Sequence, residues 1–209
     1  SAGDSSVFIY ADTNYTYNYD VDWNDDGIFE DIGVTASILH QYLDTGTYTI
    51  RIRGQFPRFR GSWFYNGVYS DNYKLIAINQ WGTGVWQNMQ NMFRNCREME
   101  YQAADEPNLT GVNSLDYLFQ SCVKFNGNIN NWDMSNVTSI LAIFNGCAIY
   151  NQPVNNWNVS RIKNFVCAFQ GTAFNQPVNN WQVDSAESLG CLFAYSQFNQ
   201  PLPVGIPEM

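Results

Sequence analysis

The side chains able to do chemistry fall into few groups, and the densest is acidic. Six of the 19 Asp and Glu residues lie between Asp20 and Asp31. There the run Asp22-x-Asn24-x-Asp26-Gly27-Ile28-x-Glu30 puts oxygen-bearing side chains at alternate positions with glycine sixth, as at the start of a calcium loop. The twelfth position, where an EF-hand needs a bidentate Glu, is Gly33, so this is not an EF-hand. Two readings stay open. Either Asp22, Asn24, Asp26 and Glu30 hold calcium, or Asp25-Asp26-Gly27 is a polar hairpin turn built from residues suited to turns. Bound calcium would stiffen the loop rather than do chemistry, because nothing nearby supplies a base.

Catalysis has little to work with elsewhere. A single histidine, His40, would have to serve any Ser-His, Cys-His or zinc scheme alone. G-x-S-x-G, H-E-x-x-H, C-x-x-C and phosphate-cradling glycine loops are all missing. Paired carboxylates that meet in space are the one catalytic arrangement that spacing leaves open. The chain therefore reads as non-enzymatic. Its charge narrows the partners. Ten Lys and Arg against 19 Asp and Glu give a formal net charge of −9, which opposes nucleic-acid binding and docking on anionic lipid. Arg51, Arg53, Arg58 and Arg60 do interleave with Phe56, Phe59, Trp63 and Phe64, but the acidic loop offers them partners, so a solvated or salt-bridged surface is expected. The longest apolar run, Ile140 to Phe144, is far too short to span a bilayer. Ser1 to Ser6 carry neither a basic nor an apolar stretch, which reads as a mature or excised fragment without a signal peptide.

The elements that must position these residues announce themselves by repetition. Asn126-Gly-Asn-Ile-Asn-Asn-Trp132, Asn151-Gln-Pro-Val-Asn-Asn-Trp157 and Asn175-Gln-Pro-Val-Asn-Asn-Trp181 align, and Asn199-Gln-Pro-Leu202 opens another copy. The tryptophans are 25 and 24 residues apart, and a phenylalanine (Phe144, Phe169, Phe193) follows each by 12. Trp81 and Phe93 share that offset, and Phe119 marks a further unit with Pro107 in the tryptophan position. Val154-x-x-Trp157-x-Val159 has the L-x-x-L-x-L form of a leucine-rich-repeat strand, while Ile162, Phe165 and Phe169 have the spacing of a helical face. Strand plus helical turn predicts a solenoid with a parallel strand ladder in which each coil covers its neighbour. Cys96, Cys122 and Cys147 share a column that later holds Thr172 and Ser196, which favours packing thiols over an inter-coil bridge.

Residues before this region read as β structure. Val7 to Tyr10, Tyr15 to Val21 and Tyr48 to Arg53 are β-branched and aromatic, separated by Gly, Asn and Asp. The expected fold class is thus β-rich α+β, with a β-sandwich over 1–73 and a leucine-rich-repeat solenoid of five coils and a partial one over 74–209. His40 is expected at a turn or strand edge, bonded to backbone.

Tyr19-Asp-Val-Asp-Trp23 and His40-x-Tyr42-x-x-x-Gly46-Thr-Tyr-Thr-Ile50 resemble a polycystic-kidney-disease-like (PKD) module. N-Q-P-V-N-N-W-x-V-S, followed by an apolar turn and F-x-G, resembles the BspA-type leucine-rich-repeat surface proteins of bacteria. That resemblance implies an exported, cell-surface protein used in adhesion, and it carries over no catalytic residue. The expectation is an extracellular recognition or adhesion module binding a protein or polysaccharide. The alternatives are an accessory substrate-binding domain or a spacer within a larger secreted enzyme. The x positions of each strand name the surface that would recognise it: Asn131 and Asp133, Asn156 and Asn158, Asn180 and Gln182. Amides offer donors and acceptors without net charge. A first column, Asn130, Asn155 and Asn179, is read as capping neighbouring turns.

Overall fold

The computed structural model describes residues 5–60, 64–65, 68–69 and 71–205. Trp63 of the aromatic-basic cluster therefore lies outside the described residues. Two short antiparallel sheets form first. Strand β1 (Ser6–Ile9) pairs with β4 (Ile38–Gln41), and β2 (Asn18–Asp22) lies between β3 (Asp31–Val34) and β5 (Arg51–Gln55). Alternation along β2 sends Tyr19 and Val21 into a core with Ile9, Tyr17, Trp23 and Tyr42. Gly54 lets β5 approach β2. It sits at φ +95°, and a Cβ there would come within 2.6 Å of the Asn18 carbonyl oxygen.

The expected PKD-type sandwich is not what forms. Five strands of four or five residues make one pair and one triplet; the first predicted strand starts one residue early, at Ser6, and the other two start three residues late, at Asn18 and Arg51. Tyr48 lies outside β5, its ring stacked on Tyr42 with centroids 3.7 Å apart. His40 is indeed a strand residue, opposite Val7, but ring stacking on Trp23 at 4.3 Å holds it.

After β6 (Phe64–Tyr65) and β7 (Val68–Tyr69) come a 3₁₀ turn, Asp71–Lys74, and β8 (Ala77–Ile78), which pairs in parallel with β9 (Glu100–Tyr101). From there to residue 205 the chain is turns. Leucine-rich-repeat coils with a parallel strand ladder and helices are absent: among the described residues there is no α-helix, and only single-residue bridges link Ser114, Ser139, Asn164 and Ser188. Two local reasons account for the correction. The presumed strand Val154-Asn-Asn-Trp157 closes a β-turn, with the Trp157 N–H donating to the Val154 carbonyl at 3.2 Å, as also at Ile129–Trp132 and Val178–Trp181. Asn-Asn at the centre of such a turn is what its side chains favour. The presumed helices are interrupted by left-handed residues, Ala142, Cys167 and Cys191 at φ 52–58°, followed four residues later by Gly146, Gly171 and Tyr195.

Repeats nevertheless stack. The N–H groups of Phe119, Phe144 and Phe169 donate to Ile143, Ala168 and Leu192 one repeat ahead, each at 2.9–3.0 Å. Trp132, Trp157 and Trp181 are 3–4% exposed in a continuous apolar interior with Phe119, Phe144 and Phe169. The slot shared by Cys, Thr and Ser selects a donor as well as small size. Cys122 and Cys147 thiols and Thr172 and Ser196 hydroxyls each donate to the carbonyl of a repeat phenylalanine at 2.6–2.9 Å.

Candidate functional site

The amide face is built by the turns that replaced the strands. With Val154 and Trp157 turned inward, Asn155 and Asn156 at the turn centre and Asn158 beyond it face solvent. All six sequence-derived residues, Asn131, Asp133, Asn156, Asn158, Asn180 and Gln182, are exposed. Neighbouring repeats align their amides. Asn130 Nδ2 donates to Asn155 Oδ1 at 3.2 Å, Asn156 Nδ2 to Asn131 Oδ1 at 3.2 Å, and Asn180 Nδ2 to the Asn155 carbonyl at 2.7 Å. The Asn156 N–H also donates to Asn130 Oδ1 at 2.9 Å, so Asn130 braces the next turn. Asn131 and Asn180 thus spend part of their capacity holding neighbours, while Asn158 caps Ser160 and Asp133 caps Ser135. The N–H and hydroxyl of Ser135 hold the Asp133 carboxyl below the usual carboxylate range. A shallow hollow of about 230 Å³ opens between Trp157, Asn158, Val159, Ser160, Asn180 and Gln182.

A separate amide ladder lies on the Asn-Gln-Pro segments. Backbone N–H groups of Asn151, Asn175 and Asn199 donate to Asn126, Asn151 and Asn175 Oδ1 at 2.8–2.9 Å. These asparagines are repeated because each accepts from the following repeat.

In the acidic loop, oxygens of Asp22, Asp26 and Glu30 all lie within 4.8 Å of one another. Asp22 is buried and accepts from the N–H groups of Asn24, Asp25 and Gly27 at 2.7–3.2 Å. Burial opposes its ionisation, but these donors and the Asp26 N–H overcome it and keep its pKa below the ordinary value. Asn24 Oδ1 accepts from the Asp26 N–H at 3.2 Å, and Asp26 Oδ1 from Ile28 at 2.8 Å. Turn chemistry alone accounts for Asp22, Asn24 and Asp26. It does not require Glu30, which lies just before β3, accepts from the Trp23 N–H at 3.1 Å and joins the carboxylates. The residues present fit a hard cation in part: calcium takes six to eight oxygens, and three carboxylates meet here.

The arginines are spent on acids, but only Arg51 and Arg53 find them in the 20–31 loop; Arg58 and Arg60 turn to Asp12. Arg51 pairs with Asp25 and Arg53 with Asp20 at 2.8 Å, while Arg58 and Arg60 reach Asp12 at 3.6 and 3.3 Å. Sequence reasoning missed a hollow of about 380 Å³ lined by Trp23, Glu30, His40, Tyr42, Asp44 and Tyr48. The period-two placement of His40 and Tyr42 puts both on one face of the sheet edge and was the available signal.

Residues 75–204 match the family model described as "Mycoplasma protein of unknown function, DUF285". The chain belongs to that family. The match covers the stacked turns, and the leucine-rich-repeat assignment suggested by N-Q-P-V-N-N-W is replaced by it. No curated protein and no solved structure matches the chain. DUF285 membership assigns no activity. Among the described residues no helix is long and apolar enough to cross a membrane.

Proposed function

We propose that this DUF285 chain is a non-catalytic recognition module that acts outside the cell, taking a protein or polysaccharide ligand on the amide face of its stacked turns. The observation that carries the reading is the alignment of exposed, uncharged amides from three successive repeats, the last two of which line a shallow hollow with Asn158, Asn180 and Gln182. Such a surface offers paired donors and acceptors to sugar hydroxyls or peptide backbone. An array of glycans and extracellular-matrix proteins is the direct test. Binding that falls at least tenfold when Asn156, Asn158, Asn180 and Gln182 are jointly changed to Ala supports the assignment. Unchanged binding by a folded quadruple variant overturns it.

The convergence of Glu30 on Asp22 and Asp26 supports a second element of the proposal, calcium as a structural ion of the loop. It would tie β3 back to the end of β2 and take no part in ligand chemistry.

A further inference from the structure

All five cysteines are free thiols, and they divide by environment. Cys96, Cys122 and Cys147 are buried in the donor slot of the stack. Cys167 is half-buried and Cys191 exposed, in a different column two residues before the repeat phenylalanine. That column runs Asn91, Tyr117, Ala142, Cys167, Cys191, all left-handed at φ 52–58°. Asparagine, tyrosine and alanine occupy it equally well, so neither packing nor backbone conformation calls for cysteine there. Asparagine is the residue best suited to left-handed backbone, and cysteine has no such advantage. Two consecutive thiols at a position that accepts anything are left without a structural explanation.

Their alignment is fixed by the backbone. Asn164 and Ser188 form a parallel bridge, and three residues on, the N–H groups of Cys167 and Phe169 donate to Gly190 and Leu192, both at 2.9 Å. Cys167 and Cys191 therefore stand side by side in adjacent layers, close enough for their thiols to interact electrostatically. Adjacent chains in such stacks are about 4.8 Å apart, with side chains parallel. A disulfide needs its Cβ atoms nearer, about 3.8 Å, and turned toward each other. Two thiolates on a tetrahedral zinc-like ion, at about 2.3 Å each, need their sulfurs only about 3.8 Å apart. Parallel thiols one layer apart suit the second geometry.

We propose that Cys167 and Cys191 form a two-thiolate surface site for a soft divalent cation of the zinc class, its remaining positions open to water. Each thiol releases its proton to solvent as its sulfur bonds the ion, so two protons leave per ion and no electron is transferred. The site is independent of the amide-face reading.

The test uses the full chain, reduced with a phosphine and titrated with cadmium, whose bonds to thiolate give an ultraviolet charge-transfer band. One cadmium per chain is expected, displaced by zinc. The band should disappear in Cys191→Ser and in Cys167→Ala. Cys147→Thr, which installs the residue that Thr172 already places in the equivalent slot, should keep it. Circular dichroism establishes that each variant is folded. A folded, reduced chain with no stoichiometric band overturns the proposal, and so does a band that survives Cys191→Ser.

Discussion

The sheets of residues 6–55 and the stacked turns of residues 75–204 solve the same burial problem with opposite resources. In the first region, strands pair antiparallel over a small aromatic core, and the edges are tied by ions: Asp20 to Arg53, Asp25 to Arg51, Asp12 to Arg58 and Arg60. In the second, charge is sparse. Backbone donors reach one repeat ahead, amides bond to amides, and phenylalanine and tryptophan rings stack through the interior, as Phe119 on Phe144 at 5.9 Å and Trp157 on Trp181 at 6.4 Å. The contrast teaches that a repeat needs no regular secondary structure to form a core. It needs only turns that return each apolar residue to the same height.

Residues 56–59 join the two regions: the Gln87 N–H donates to the Pro57 carbonyl at 2.9 Å, Phe56 lies edge-on to Trp86 at 6.3 Å, and Phe59 packs on Phe93 at 6.2 Å. The sharpest way to break the comparison is to remove a ring from the stack. Trp157→Ala deletes an indole that donates to the Ile129 carbonyl at 2.9 Å and packs on Trp181, and should cost about 3–5 kcal/mol in chemical denaturation. Near-neutral behaviour would mean that the repeats do not share one interior. Next, Gly54→Ala forces a Cβ toward Asn18 at positive φ and should cost about 1–3 kcal/mol, opening the β2–β5 pair while the stacked turns persist. Hydrogen exchange separates the two: loss of protection across both regions would show that they unfold as one unit.

Calcium should act on the first region alone. At ten times its dissociation constant, an ion bound only by the folded loop adds roughly 1.4 kcal/mol, so melting in calcium should exceed melting in chelator. Asp26→Asn should abolish the difference, and identical curves for the wild-type chain would leave the loop as turn chemistry only. The same loop governs the acid response. Asp20 is held below its ordinary pKa by the Gly33 N–H and the Arg53 side chain, and Asp22 by its ring of backbone N–H groups. Because the folded values are depressed, this stability is fully present above about pH 4 and is lost as pH falls through them. Trp23 fluorescence followed on acidification should report it. The smallest effect is expected on the amide face. The quadruple Ala variant should shift the melting temperature by less than about 4 °C, roughly 1 kcal/mol in a chain of this size. A collapse would show that the amide columns hold the stack together.

Much of the second region was legible because its signal is periodic. The 24- and 25-residue offsets located the buried tryptophans and, by alternation, placed Asn156, Asn158 and Gln182 at the surface. What the pattern could not convey was conformation. V-x-x-W fits the inward residues of a strand and the closing residues of a β-turn equally well, and only the Trp157 to Val154 hydrogen bond distinguishes them. The i, i+3, i+7 spacing of Ile162, Phe165 and Phe169 fits a helix, yet left-handed Cys167 between them sends N–H groups to the next repeat instead of back along a helix.

The amino-acid sequence by itself determined that the periodic tryptophans and phenylalanines of the repeats are buried, because large apolar side chains recurring at one height leave water together whatever backbone carries them. It also determined the acidic character of the 20–31 loop, whose turns depend on contacts two to five residues apart. Tertiary structure decided the rest. The stacking of His40 on Trp23 and the reach of Arg58 and Arg60 to Asp12 join residues that local spacing cannot relate. Each depends on where a whole strand or layer comes to rest, and that is set by the summed packing of many side chains rather than by any short motif.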